Sequence, residues 1–243
     1  YVWDSTVSVG RPRLIPVPIR SVLRVTFNPA DPNRLYAGND ELCAVDIEDG
    51  DCEPFSNIPT WAGLWFGVSP GGTRIVVFER TREGPGRLSM FAAVDHTRAK
   101  ITLDTSRLPW STVYFLPDGG RFIGVEFQPQ VGSRLTIRAA DRGEVVWESG
   151  KLTEHPEHIA LSPDGTNLVC HTRNMIFVHP VGGEISPEPS IRNDTRKYFT
   201  GLAFHPSGKW LAVTSNDRTV KFYDTETWAV AKEYTWNIGR LRS

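Results

Sequence analysis

Five times along the chain, an alternating apolar pair runs into a proline, a short polar turn and a second apolar run. The segments are RVTFNPADPNRLYAG (24–38), LWFGVSPGGTRIVVF (64–78), TVYFLPDGGRFIGVE (112–126), HIALSPDGTNLVCHT (158–172) and GLAFHPSGKWLAVTS (201–215). Two positions before each proline stand Phe27, Val68, Phe115, Leu161 and Phe204; four before stand Val25, Phe66, Val113, Ile159 and Leu202. Period-two patterning predicts strands with one buried face, and it puts all ten of these side chains in a core. Gly72, Gly119, Gly165 and Gly208 come two residues after their prolines, where a tight turn accepts positive φ. Ile75, Phe122, Leu168 and Leu211 then restart the apolar face, with Leu35 in that part in the first unit.

The prolines Pro29, Pro70, Pro117, Pro163 and Pro206 are 41, 47, 46 and 43 residues apart. A third run in each unit ends on an acidic residue at Asp4, Asp46, Asp95, Asp141 and Asp224, with His179-Pro180 in its place once. Fourth, outermost strands are expected in LIPVPI (14–19), EPFSNI (53–58), KITLDT (100–105), EVVWES (144–149) and AVAKEYT (229–235). Prolines in the first two suit an edge strand, which can spare a ladder donor.

A four-stranded sheet with two apolar faces covers neither by itself, so such units need neighbours stacked on them. A recurrence of 40–45 residues ending on VWD, AVD, AAD or FYD resembles the WD40 β-propeller family. The likeness is strongest at GLAFHPSGKWLAVTSNDRTVKFYD, and the family's Gly-His dipeptide precedes none of the inner strands. The resemblance implies an all-β propeller of WD40-like four-stranded blades over 21–60, 61–108, 109–155, 156–198 and 199–243, with a half blade at 1–20. YVWDST at residue 1 matches KFYDTE at 221–226, a third strand without its first two, and NIGRLRS (237–243) resembles the approach to another inner strand. An incomplete ring with a gap between the first and last blades is therefore expected.

Composition narrows the function classes. Of 243 residues, 27 are basic and 28 acidic, which gives no bulk drive toward nucleic acid or an anionic membrane. No apolar run approaches the ~18 residues of a membrane span. Cys43, Cys52 and Cys170 are an odd, sparse set. A hairpin turning on EDGD (48–51) would pair 47 with 52 and 43 with 56, keeping the sulfurs of Cys43 and Cys52 apart. Free thiols are expected, which favours a reducing, cytoplasmic location.

Candidate chemistry is sparse. GVSPG (67–71) spells the G-x-S-x-G nucleophile elbow, but that motif needs a following helix, and TRIVVF is a strand pattern. HPEH (155–158) lacks the further ligands of a zinc site, and the glycines of SPGGTR and EGPGR lack the helix and lysine of a phosphate loop. No catalytic residue, metal or cofactor is expected.

The lead-ins to the inner strands and the turns between second and third strands share one rim of a propeller. Trp61, Trp110, His155, His158, Tyr198 and Phe199 stand at the lead-ins; Arg82, Arg87, Arg134, Arg173 and Arg218 stand in or beside the turns. Aromatic and arginine side chains dominate binding hot spots. The rings also suit gap-filling between blades, and the arginines suit solvated turns. Of these, Trp61, Trp110, His155, Tyr198, Arg87, Arg134, Arg173 and Arg218 are the candidate contact residues. As the resemblance implies, the expected role is a non-catalytic scaffold for a protein or peptide partner. The alternative is a ligand-binding or enzyme-associated propeller, such as the accessory propeller of a hydrolase.

Overall fold

The computed structural model describes residues 14–20, 22, 24–39, 41–55, 58, 65–79, 86–93, 98–105, 113–128, 131–193 and 196–235. They form five four-stranded antiparallel meanders and no helix. The first blade holds β1 (Arg24–Asn28), β2 (Asp31–Gly38), β3 (Leu42–Asp46) and β4 (Cys52–Pro54); the second holds β5 (Trp65–Val68), β6 (Arg74–Glu79), β7 (Gly86–Ala92) and β8 (Arg98–Thr105). The third holds β9 (Val113–Phe115), β10 (Arg121–Gln128), β11 (Gly132–Ala139) and β12 (Val145–Glu148). The fourth holds β13 (His158–Leu161), β14 (Asn167–His171), β15 (Met175–Pro180) and β16 (Ile191–Arg192); the fifth holds β17 (Phe199–Phe204), β18 (Trp210–Ser215), β19 (Thr219–Asp224) and β20 (Val230–Thr235). The blades fall into two compact units, residues 1–106 and 107–243.

The repeat is visible in single hydrogen bonds. Ser69, Leu116, Ser162 and His205, each just before its proline, donate N–H to the carbonyls of Arg74, Arg121, Asn167 and Trp210 at 2.8–2.9 Å. Gly72, Gly119, Gly165 and Gly208 then donate back to Ser69, Leu116, Ser162 and His205, at φ between 63 and 75°. The Ser69 hydroxyl accepts the Arg74 N–H at 3.0 Å, so it closes a turn into a strand and is no nucleophile elbow. At the turn after the third strand the acidic strand ends act as caps. Asp46 Oδ1 accepts the Glu48 and Asp49 amides, and Asp224 Oδ1 accepts those of Glu226 and Thr227.

In the first unit, Tyr36, Leu42, Ala44 and Phe55 of blade one pack on Phe66, Ile75, Val77 and Phe91 of blade two. The other face of blade one carries Leu35, Ala37, Cys43 and Val45, covered by Ile15, Val17 and Ile19. Those three belong to the expected strand LIPVPI, but residues 14–20 form no strand. Pro16 and Pro18 have no N–H to give a ladder, and the segment lies as a strap instead. Val25 and Phe27 pair with Ala37 and Leu35 on this same face, yet stay 56% and 51% exposed. Their predicted burial fails because the strap covers the middle of the sheet and not β1. Residues 1–13, most of the expected half blade, lie outside the described residues.

In the second unit, Ile123, Val125, Leu135 and Ile137 of blade three meet Ile159, Leu168, Cys170 and Phe177 of blade four. Val169, Ile176 and Ile191 of blade four then meet Phe199, Leu202, Leu211 and Val213 of blade five. Phe204 is half-buried against that second core. Each interface removes apolar surface from water at ~25 cal/mol per Å².

The cysteine hairpin also departs from expectation. Val45 pairs with Cys52 and Cys43 with Pro54. The Asp46 cap and Gly50 at φ 85° place the loop at 47–50, one residue earlier than EDGD suggests, so the partners shift by two. All three thiols are free.

Candidate functional site

The second unit brings two of the candidate side chains into contact. Arg173 lies in the β14–β15 turn and Tyr198 immediately precedes β17; the Arg173 guanidinium stands 5.7 Å above the Tyr198 ring. Cation–π contact holds the planar fork in one orientation. The Phe199 amide donates to the Arg173 carbonyl at 2.8 Å, which ties the turn of blade four to the lead-in of blade five.

The β18–β19 turn joins from the other side. The Tyr198 N–H donates to Asn216 Oδ1 at 2.9 Å, and the Asn216 N–H returns a bond to the Tyr198 carbonyl at 3.0 Å. The Ser215 hydroxyl donates to that carbonyl as well, at 3.0 Å. Arg218, next in this turn, holds φ 71°, a conformation that non-glycine residues adopt at a cost. Asp217 fixes the turn by accepting from the Thr219 amide and hydroxyl and pairing with Lys197 Nζ at 2.9 Å. Burial pushes the Asp217 carboxyl up, but Lys197 and Thr219 outweigh it and hold the group at about 2. Arg173, Tyr198 and Arg218 thus stand on one knitted platform. Asn216 and Ser215 are its fasteners, and only their place in the turn between two strands could have marked them in advance.

His155 and Arg134 make contacts of their own. His155 bonds through Nδ1 to the Ser133 hydroxyl at 2.7 Å and sets its ring edge-on to Phe127, 5.9 Å away, so it packs against blade three. Arg134 is a strand residue of β11 whose guanidinium pairs with Glu148 of β12. Arg87 stands at the start of β7, beside the β6–β7 turn where it is expected, in register with Glu79 and Asp104. Trp61, Trp110 and Arg82 lie outside the described residues.

Beneath the platform, His171 is 2% exposed, stacked on His158 at 6.0 Å and edge-on to Phe199 at 6.2 Å. Its Nδ1 bonds to the Thr172 carbonyl at 2.9 Å, and its Nε2 is buried without a hydrogen-bond partner. Burial lowers the pKa of His171, and burial does the same to His179 and His155. A histidine held neutral in the fold but protonated on unfolding gives stability that is intact above its ordinary value of 6.5 and is lost as pH falls below it. The urea midpoint is therefore expected to drop between about pH 7 and pH 5, and His171→Gln should flatten that slope. An equally steep slope in the variant would assign it to other groups.

Among the described residues no group of three or more His, Cys, Asp or Glu side chains could hold a metal ion. No helix there is long and apolar enough to cross a membrane. What the platform offers is a tyrosine ring under a guanidinium, beside a hydrogen-bonded turn that carries a second arginine.

Residues 191–224 match the family model for the WD domain, G-beta repeat. The match runs from β16, the outer strand of blade four, to Asp224 at the end of β19 in blade five. No curated protein matches the chain. That match to one repeat, with the same four-stranded meander and the same turn hydrogen bonds recurring along the chain, supports a WD40-repeat propeller.

Proposed function

We propose that the chain is a non-catalytic protein- or peptide-binding module whose contact surface centres on Arg173, Tyr198 and Arg218. WD40 propellers are commonly protein-interaction scaffolds. The observation that carries the reading is the platform itself: an arginine over a tyrosine, locked to an arginine-bearing turn by backbone and Asn216 hydrogen bonds. Rigid anchors lose little side-chain entropy on association, and such residues dominate binding energy. A cytoplasmic setting belongs to the same proposal and rests on the free thiols.

Arg218→Gly separates surface from scaffold. Glycine tolerates the left-handed turn, so the fold should hold or gain about 1 kcal/mol, while the guanidinium is lost. Partners captured by the immobilised wild-type chain and identified by quantitative mass spectrometry should be depleted at least about fivefold with Arg218→Gly or Tyr198→Ala, the effect of losing over ~1 kcal/mol at a hot spot. Undiminished capture by both folded variants would move the contact surface elsewhere.

A further inference from the structure

Cys43 and Cys52 play no part in that platform, and the hairpin register gives them a relation of their own. Cys52 is opposite Val45, and Cys43 is two residues further along β3. Side chains alternate faces along a strand, so both thiols project from the same face of blade one as diagonal cross-strand neighbours. Cys43 is wholly buried, whereas Cys52 is partly exposed at the sheet edge, on a strand of three residues. Above them lies the 14–20 strap, and the Cys52 thiol donates to the Pro16 carbonyl at 3.5 Å.

We propose that Cys43 and Cys52 form a site of reversible covalent modification, at which a low-molecular-weight disulfide converts the thiol pair into an intramolecular disulfide. Cys52, the accessible member, attacks the reagent disulfide as its thiolate, forms a mixed disulfide and expels one thiolate. The Cys43 sulfur then attacks the Cys52 sulfur and expels the second. Two protein S–H bonds and one reagent S–S bond break; one protein S–S bond forms. The two protein sulfurs lose two electrons, and the released thiolates take up the two protons. Burial raises both thiols, Cys43 to about 12, which slows the exchange without setting its end point. The end point depends on how closely the fold holds the second sulfur to the first. Short β4, paired on one side only, supplies the give that a disulfide's strict geometry requires. The new bond consumes the S–H that reaches Pro16, so oxidation removes a contact of the strap.

The test uses the folded chain, oxidised glutathione and trypsin. Both cysteines fall between Arg34 and Arg74 with no Lys or Arg between, so they share one peptide, residues 35–74. That peptide is expected to become about 2 Da lighter, reversibly on reduction, with the Cys170 peptide unchanged. The ratio of disulfide to glutathione adduct should be at least about tenfold higher than in the urea-unfolded chain. In Cys52→Ser, Cys43 should take up no glutathione. A lasting adduct on Cys52 beside a reduced Cys43, an unmodified peptide, or equal ratios folded and unfolded would each overturn the proposal. So would glutathione on Cys43 in the Cys52→Ser variant.

Discussion

Gly165→Ala is expected to destabilise the protein by about 2–5 kcal/mol, whereas Gly208→Ala at the same place in the next blade should cost only about 1–2 kcal/mol. Both glycines close the turn after a first strand, at φ 73° and 75°. The shared cost is the left-handed conformation, which an L side chain adopts at about 1–2 kcal/mol. The difference lies across the blade interface. A methyl group on Gly165 would overlap Cδ and Cγ of Pro117 in blade three, while one on Gly208 would meet Pro163 Cδ at 4.0 Å, an ordinary contact. Proline is stiff and cannot swing away, so overpacking adds about 1–3 kcal/mol at Gly165 alone. Pro117→Ala in the Gly165→Ala background should restore that increment, giving a coupling of similar size in a double-mutant cycle read by urea unfolding. Equal costs at the two glycines would show that the turns of blades three and four do not touch as described.

The same pair of glycines shows what a sequence can and cannot disclose. The strands were legible because alternation, proline and turn glycines are local signals, and the hydrogen-bonded turns that open at Ser69, Leu116, Ser162 and His205 repeat them. That Gly165 also has to admit Pro117 was not legible, since the two are far apart in sequence and meet only when blades stack. Exposure of Val25 and Phe27 escaped for a related reason: their pattern equals that of the buried pairs, and only the placement of the strap decides. β16, two residues in PSIRN, has no alternation to read and exists through pairing with Met175 and Ile176. The candidate site follows the same division. Position in the repeat marks Tyr198 and Arg173 singly, but their contact depends on two blades meeting. Position marks Arg134 in the same way, but its guanidinium pairs with Glu148 on the neighbouring strand.

Arg138→Met should cost about 3–5 kcal/mol, although it replaces a charge with an apolar chain of similar length. Arg138 on β11 and Glu126 on β10 are 8% and 2% exposed, on the face of blade three that turns away from blade four. Across the two strands they are separated by the Gly124–Thr136 pair, where β10 carries no side chain. Glu126 Oε1 accepts from Arg138 Nε at 2.9 Å, pairs with its terminal nitrogen at 2.8 Å and accepts the Thr136 hydroxyl at 3.0 Å. A second terminal nitrogen donates to the Gly143 carbonyl at 2.8 Å, which ties the β11–β12 turn to the pair. Removing the guanidinium strands a buried carboxylate, and that penalty exceeds anything the methionine gains by burial. The pair itself need not be stabilising, because desolvating two charges offsets most of their attraction. The double variant Glu126→Leu, Arg138→Met should therefore recover most of the loss, and could match the wild type in urea midpoint. A double variant no more stable than Arg138→Met would assign the cost to packing and the lost Gly143 tie instead of the uncompensated charge.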